Sequence, residues 1–171
     1  MTTWPAPVRT DPPFRDPERP ALEAWLEYER ATLLTKCAGL PPEQLVVRSV
    51  PPSSLSLLGL VRHLTEVERS WFRRRLDGQD VPRLYCSEEA PDGDFDDVDP
   101  SRADDDLAAY QAEVAAVREV ASRHALEDVG RTRLGEEVDL RWIYLHMIEE
   151  YARHNGHADL LRERIDGETG D

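Results

Sequence analysis

From residue 140 to 165 the chain places Leu140, Tyr144, Met147, Tyr151, His154, Ala158, Leu161 and Ile165 at alternating steps of four and three. That spacing lines all of them along one stripe of an α-helix and predicts a single helix over about 140–165. A helix this long draws its stability from partners that cover the stripe. One position on the stripe is polar. His154 stands where the pattern calls for a hydrophobe, and a buried imidazole without a partner costs about 1–3 kcal/mol.

Three further segments carry the helical period. The first spans about 19–38, with Leu22, Trp25, Leu26, Leu33 and Cys37 on its inner side, Pro20 at its start and "AGLPP" at its stop. The second spans about 54–77, with Leu57, Leu60, Leu64, Val67 and Trp71 as its stripe, Ser53 or Ser54 as cap and Gly78 as terminator. The third spans about 103–122, with Leu107, Tyr110, Val114, Val117 and Ala121 inward and an N-cap near Ser101. Four amphipathic helices predict an all-α fold, a four-helix bundle. Its long connections, about 79–102 and 123–138, free it from simple up-down-up-down order. "RTRLGEEVDL" fits a short hairpin turning at Gly135. There is no internal repeat. The length fits one domain over 1–171, with a proline-rich extended arm over 1–18.

A net charge of −14 argues against nucleic-acid backbones and anionic membranes as partners. No apolar run approaches the roughly 20 residues of a membrane span, and the N-terminus has no signal-like core, so a cytoplasmic location is expected. The two cysteines, Cys37 and Cys86, form no CxxC pair and no disulfide framework.

The candidate site starts at His154. Glu150 lies four residues earlier, a step that keeps both side chains on one face about 6 Å apart along the axis. Glu-x-x-x-His can therefore offer two donors to one metal. His146 and Glu149 point farther from the stripe and read as flank or surface, and His157 is undecided. A third donor has to come from another helix. His63, beside the second stripe and among the small residues Ser56, Gly59 and Ser70, offers one with room around it. A His/Glu/His set with an open position is the usual form of a catalytic zinc site. The same residues also fit a satisfied core histidine beside a surface glutamate, and spacing alone leaves both readings open. The stretch "SEEAPDGDFDDVDPSRADDD" carries ten acidic residues but fails the calcium-loop pattern, so it reads as a solvated connection. Trp71, Trp142 and Tyr144 read as packing near the site, with Trp142 on the more exposed side of its helix. A cysteine nucleophile is a weaker alternative.

The stretches "SLLGLVRHLTEVERSWF" (56–72) and "LRWIYLHMIEEYARHNGHADLLRERIDGETG" (140–170) resemble the DinB-like metalloprotein superfamily. The closer likeness is to its actinobacterial branch, which includes mycothiol-dependent maleylpyruvate isomerase. The resemblance implies a four-helix bundle holding a divalent metal through one ligand from the second helix and two from the fourth. These positions fall on His63, Glu150 and His154. It implies a low-molecular-weight thiol of the mycothiol type as cosubstrate, a small electrophile as substrate, and S-transferase or isomerase chemistry. Zinc suits this donor set, and nickel, iron and manganese accept it. A homodimer is compatible, because relatives pair through bundle faces. His157, Arg153 and Asp159 are candidates for orienting the ligands or the thiol. Other members are linked only to stress induction, so the alternative is a non-catalytic binding protein with an empty or structural metal site.

Overall fold

The computed structural model describes residues 3–169. Six α-helices are present among them: α1 (Glu18–Cys37), α2 (Pro42–Leu45), α3 (Leu57–Glu68), α4 (Gly93–Asp96), α5 (Ala103–Ser122) and α6 (Leu140–Asp166). A 3-10 turn, Pro100–Arg102, leads into α5. Two short strands, β1 (Val129–Arg131) and β2 (Glu137–Asp139), pair antiparallel, with Gly130 opposite Val138. The chain is mostly helical. No helix among the described residues is long and apolar enough to cross a membrane.

α6 begins where Asp139 accepts a 2.7 Å bond from the Trp142 amide, and it ends at Gly167, whose φ of 83° suits a left-handed cap. Its stripe is buried as the spacing requires: Leu140, Tyr144, Met147, Tyr151, Ala158 and Leu161 all lie in the core, with His154 partly buried among them. α6 packs mainly on α1, and α3 packs on α5 and also on α6. On α1, Trp25 is 47% exposed, so it leaves the inner face expected for it, while Leu26 and Leu33 stay in the core. Arg30 on α1 and Glu68 on α3 form a buried two-bond pair (2.6 and 2.7 Å). Tyr151 on α6 donates to Glu68 at 2.9 Å, and its hydroxyl lies 3.0 Å from that of Tyr110 on α5. One hydrogen-bonded network thus ties all four long helices together, and each buried polar atom in it has a partner.

Several boundaries differ from expectation for local reasons. α3 starts at Leu57, capped by Ser56, whose side chain accepts from the Gly59 amide; Ser53 and Ser54 lie outside the helix. Beyond Glu68 the helix continues as a π-helical segment, Arg69–Leu76, closed by an Asp77 amide bond to the Phe72 carbonyl. This wider winding slips the register. Phe72 and Leu76 enter the core, whereas Val67 and Trp71 are left half-buried. The cap near α5 is Asp99, which accepts from the Ser101 amide and hydroxyl. The hairpin turns at Gly135, with φ 81°. The N-terminal arm lies on the body: Trp4 is buried, its indole donates to Asp104, and its carbonyl accepts from the Gly39 amide.

Candidate metal centre

His63 leaves α3 where Glu150 and His154 leave α6. One donor atom from each lies within 4.8 Å of the other two. The rings of His63 and His154 are 4.8 Å apart, and His154 Nε2 is 3.6 Å from Glu150 Oε2. Zinc bonds of about 2.0–2.1 Å in a tetrahedron place neighbouring donors about 3.3 Å apart, so the donor chemistry and spacing fit a divalent cation. Burial pushes the His154 imidazole down to about 4, helped by repulsion from His63, His157 and Arg153. At neutral pH the ring is uncharged and carries a lone pair for a metal. His157 Nδ1 lies 3.4 Å from His154 Nδ1. With Nε2 kept as the donor, His154 bears its proton on Nδ1 and directs it at His157.

The connection after α3 supplies the rest of the site. Asp94 is buried, and its Oδ2 is 2.8 Å from His63 Nδ1, which fixes the ring and leaves Nε2 free. Phe95 stacks on the other side of His63 with centroids 4.9 Å apart. Three residues of α3 and its extension strap this connection down. Arg62 donates to the carbonyls of Gly93 (2.9 Å) and Asp97 (3.0 Å), Arg69 donates to Pro82 O (2.7 Å), and Glu66 accepts from the amides of Leu84, Tyr85 and Cys86. Gly93 is needed for the close approach, since a Cβ there would sit 2.4 Å from the Tyr85 carbonyl oxygen. The acidic stretch is therefore not wholly solvated. The room expected around Gly59 is also filled, because a Cβ there would meet Phe95 at 3.0 Å.

His146 does not lie on an outer flank. It stacks on Trp142 (4.8 Å, 14° between planes), meets Trp71 edge-on, and brings Nε2 to 3.4 Å from Glu150 Oε1. His146, Glu149 and Glu150 form a second converging group, but Glu149 is exposed and paired with Arg153. The set with His63 is the better enclosed. Asp159 pairs with Lys36 at 2.8 Å. Arg153 and Asp159 thus already have partners of their own, Glu149 and Lys36. Burial holds Cys37 up at about 12 and raises Cys86, so neither thiol is poised as a nucleophile.

His63 and Glu150 open into a cleft of about 500 Å³ bordered by Trp71, Cys86, Phe95 and His146. Two narrower cavities, about 310 and 270 Å³, flank Arg30 and contain no histidine. The acidic composition of the long connection hides Asp94, the carboxylate that turns inward against His63. The aspartate–glycine–aspartate run at 92–94 was the only local hint of a tight turn there.

No curated protein matches the chain. A family model described as "MST: Mycothiol-S-transferase" matches residues 21–167, a span that takes in most of α1, the other three long helices and the site. The chain belongs to the mycothiol-S-transferase family, a DinB-like family.

Proposed function

We propose that this chain is a thiol S-transferase, or an isomerase working through reversible thiol addition, that activates a mycothiol-type thiol at a divalent metal held by His63, Glu150 and His154. The observation that carries this reading is the convergence of two imidazoles and one carboxylate, two of them, His63 and Glu150, lining an open cleft, in a member of this family. The same reading takes the chain as one DinB-like domain whose four long helices form a bundle. The packing of α1 on α6 and of α3 on α5 and α6 supports it.

A bound dication, with zinc the best match to this donor set, would lower the thiol pKa so that thiolate forms near neutral pH. The chain's own residues prepare that chemistry. His154 is kept neutral by burial, and His63 is aimed by Asp94. Glu150 contributes the single negative charge of the donor set, so a dication there retains net positive charge for a thiolate. Trp71, Trp142 and His146 form an aromatic wall beside Glu150 against which a flat electrophile can lie. In the transfer step a sulfur lone pair forms the S–C bond, the leaving group departs with the C–X pair, and the thiol proton passes to water at the cleft mouth.

The test is metal analysis of purified protein and of His154→Ala, together with conjugation of mycothiol to a model electrophile with and without chelator. The expected result is bound metal in the wild type, its loss in the variant, and conjugation that stops on chelation. Metal binding with no conjugation of any electrophile would favour a non-catalytic binding protein instead.

A further inference from the structure

The cleft that exposes His63 and Glu150 is also lined by Arg74, Arg75, Arg83 and Arg133. Arg74 and Arg75 come from the π-helical segment, Arg83 from the long connection and Arg133 from the hairpin turn, so three separate stretches of chain bring cations to one opening. Arg131 joins Arg74, Arg75 and Arg133 around an adjoining hollow of about 320 Å³.

This is unexpected in a chain with 35 acidic and 21 basic residues. Many of its other arginines are neutralised: Arg30 by Glu68, Arg62 by Asp106, Arg69 and Arg73 by Glu113, and Arg141 by Glu18 and Glu127. Among the described residues, none of the four cleft arginines forms a salt bridge to a carboxylate. The acids of the same cleft are mostly engaged. Glu66 accepts three backbone amides, Asp94 holds His63, and Glu150 lies between His146 and His154, which leaves the exposed Asp92. Arg75 lies 4.2 Å over the Trp71 ring and donates to Ser70, while its buried Nε has no partner. The crowding is felt: burial and then repulsion from Arg133, Arg74 and Arg83 lower the pKa of Arg75. Unpaired like charges cost free energy that an anion between them would recover.

We infer that this arginine cluster binds an oxyanion carried by the electrophilic substrate: a carboxylate, phosphate or sulfonate group. The inference rests on the thiol-transfer reading for its choice of reactant. A thiol held through sulfur at a dication on His63, Glu150 and His154 would have its charge offset there, so the anion that the arginines await belongs to the second reactant. The enzyme then selects electrophiles by charge as well as by reactivity.

Equilibrium binding tests the site without turnover. Benzoate, phenyl phosphate and neutral benzamide are titrated calorimetrically into the purified protein and into R75Q, R133Q, R75K and the double variant R75Q/R133Q, with melting curves to confirm folding. R164Q, a charge change on the last turn of α6, serves as control. At least one anion binds about tenfold or more tightly than benzamide, and the preference between benzoate and phenyl phosphate identifies the oxyanion. Each glutamine substitution weakens the anion about tenfold, R75K less so, and R164Q leaves it unchanged. Equal binding of anions and benzamide, or anion binding that survives R75Q/R133Q, overturns the inference.

Kinetics then compares mycothiol conjugation of 4-chloro-3,5-dinitrobenzoate with that of 1-chloro-2,4-dinitrobenzene. In both, sulfur bonds to the ring carbon, chloride leaves with the C–Cl electrons, and the thiol proton goes to buffer. The arginine variants raise KM for the benzoate about tenfold more than they raise KM for the neutral electrophile or for the thiol. Turnover indifferent to electrophile charge overturns the anion site and leaves thiol transfer intact. Arginine-dependent anion binding with no turnover of either electrophile leaves the anion site standing and removes the transfer reading.

Discussion

His63 Nδ1 lies 2.8 Å from Asp94 Oδ2, across 31 residues of sequence. A carboxylate in the acidic connection thereby sets the tautomer and orientation of a ring on α3. Such partners raise the basicity of a ligating imidazole and typically change metal affinity 10–100-fold. Asp94→Asn can still accept a hydrogen bond but has lost the charge.

Asp94→Asn is expected to weaken metal binding about tenfold or more while leaving the fold intact. Competition against a chromophoric chelator measures this directly. Affinity equal to wild type would remove Asp94 from the metal centre.

The metal-free protein should lose stability as pH falls from about 6.5 to about 4. Folded His154 is held down at about 4 by burial and by repulsion from His63, His157 and Arg153, with Asp94 opposing them. The unfolded chain protonates this ring near 6.5. Between the two values the unfolded state binds the extra proton, so the contribution is complete above about 6.5 and is lost as pH drops through the folded value. Urea midpoints of wild type and His154→Leu, both in chelator at pH 7 and pH 4.5, give the check. The wild type should fall further than the variant; parallel losses would assign the pH dependence to other groups.

How much of this was legible depends on the range of each interaction. The α6 stripe follows from a period in the sequence, and the likeness of two segments to a known superfamily placed His63, Glu150 and His154 together before any coordinates. The π-helical slip after Glu68 has no signature in a 3-4 pattern, so the pattern counts Trp71 in a stripe that Phe72 and Leu76 fill. Trp25 is exposed on its helix where the spacing places it inward, and Trp4 is buried from the arm, because side-chain size alone does not fix which surface a residue meets. Asp94 could not be singled out from ten acids. Its burial depends on tethers from Arg62, Glu66 and Arg69, each a contact of 13 to 35 residues in sequence.

The buried pair of Arg30 and Glu68 should behave as a unit. Glu68→Gln leaves a guanidinium in the core without its countercharge and also perturbs the Tyr151 bond. A loss of about 3–5 kcal/mol is expected, whereas replacing both partners with well-packed apolar residues should cost much less. Chemical denaturation of the singles and the double gives the coupling. Losses that simply add would show that the two charges stand independently.

Gly130 connects stability to the arginine cleft. β1 lies so close to the π-helical segment that a Cβ at Gly130 would sit 2.3 Å from the Arg75 carbonyl oxygen and 2.6 Å from Leu76 Cα. Both obstacles are backbone, so the hairpin itself has to move. Gly130→Ala should therefore destabilise the protein by about 1–3 kcal/mol. It should also displace Arg133, carried on the hairpin, relative to Arg74 and Arg75. Gly135→Ala is the informative comparison, because its strain arises from a φ of 81° at an open turn, with nothing within 4 Å of the added Cβ. If contact with Arg75 is what matters, Gly130→Ala will weaken benzoate binding at temperatures where both variants remain folded, and Gly135→Ala will lose stability with a smaller change in binding. Equal effects of the two on benzoate would mean that the hairpin's position against the π-helical segment does not shape the cleft.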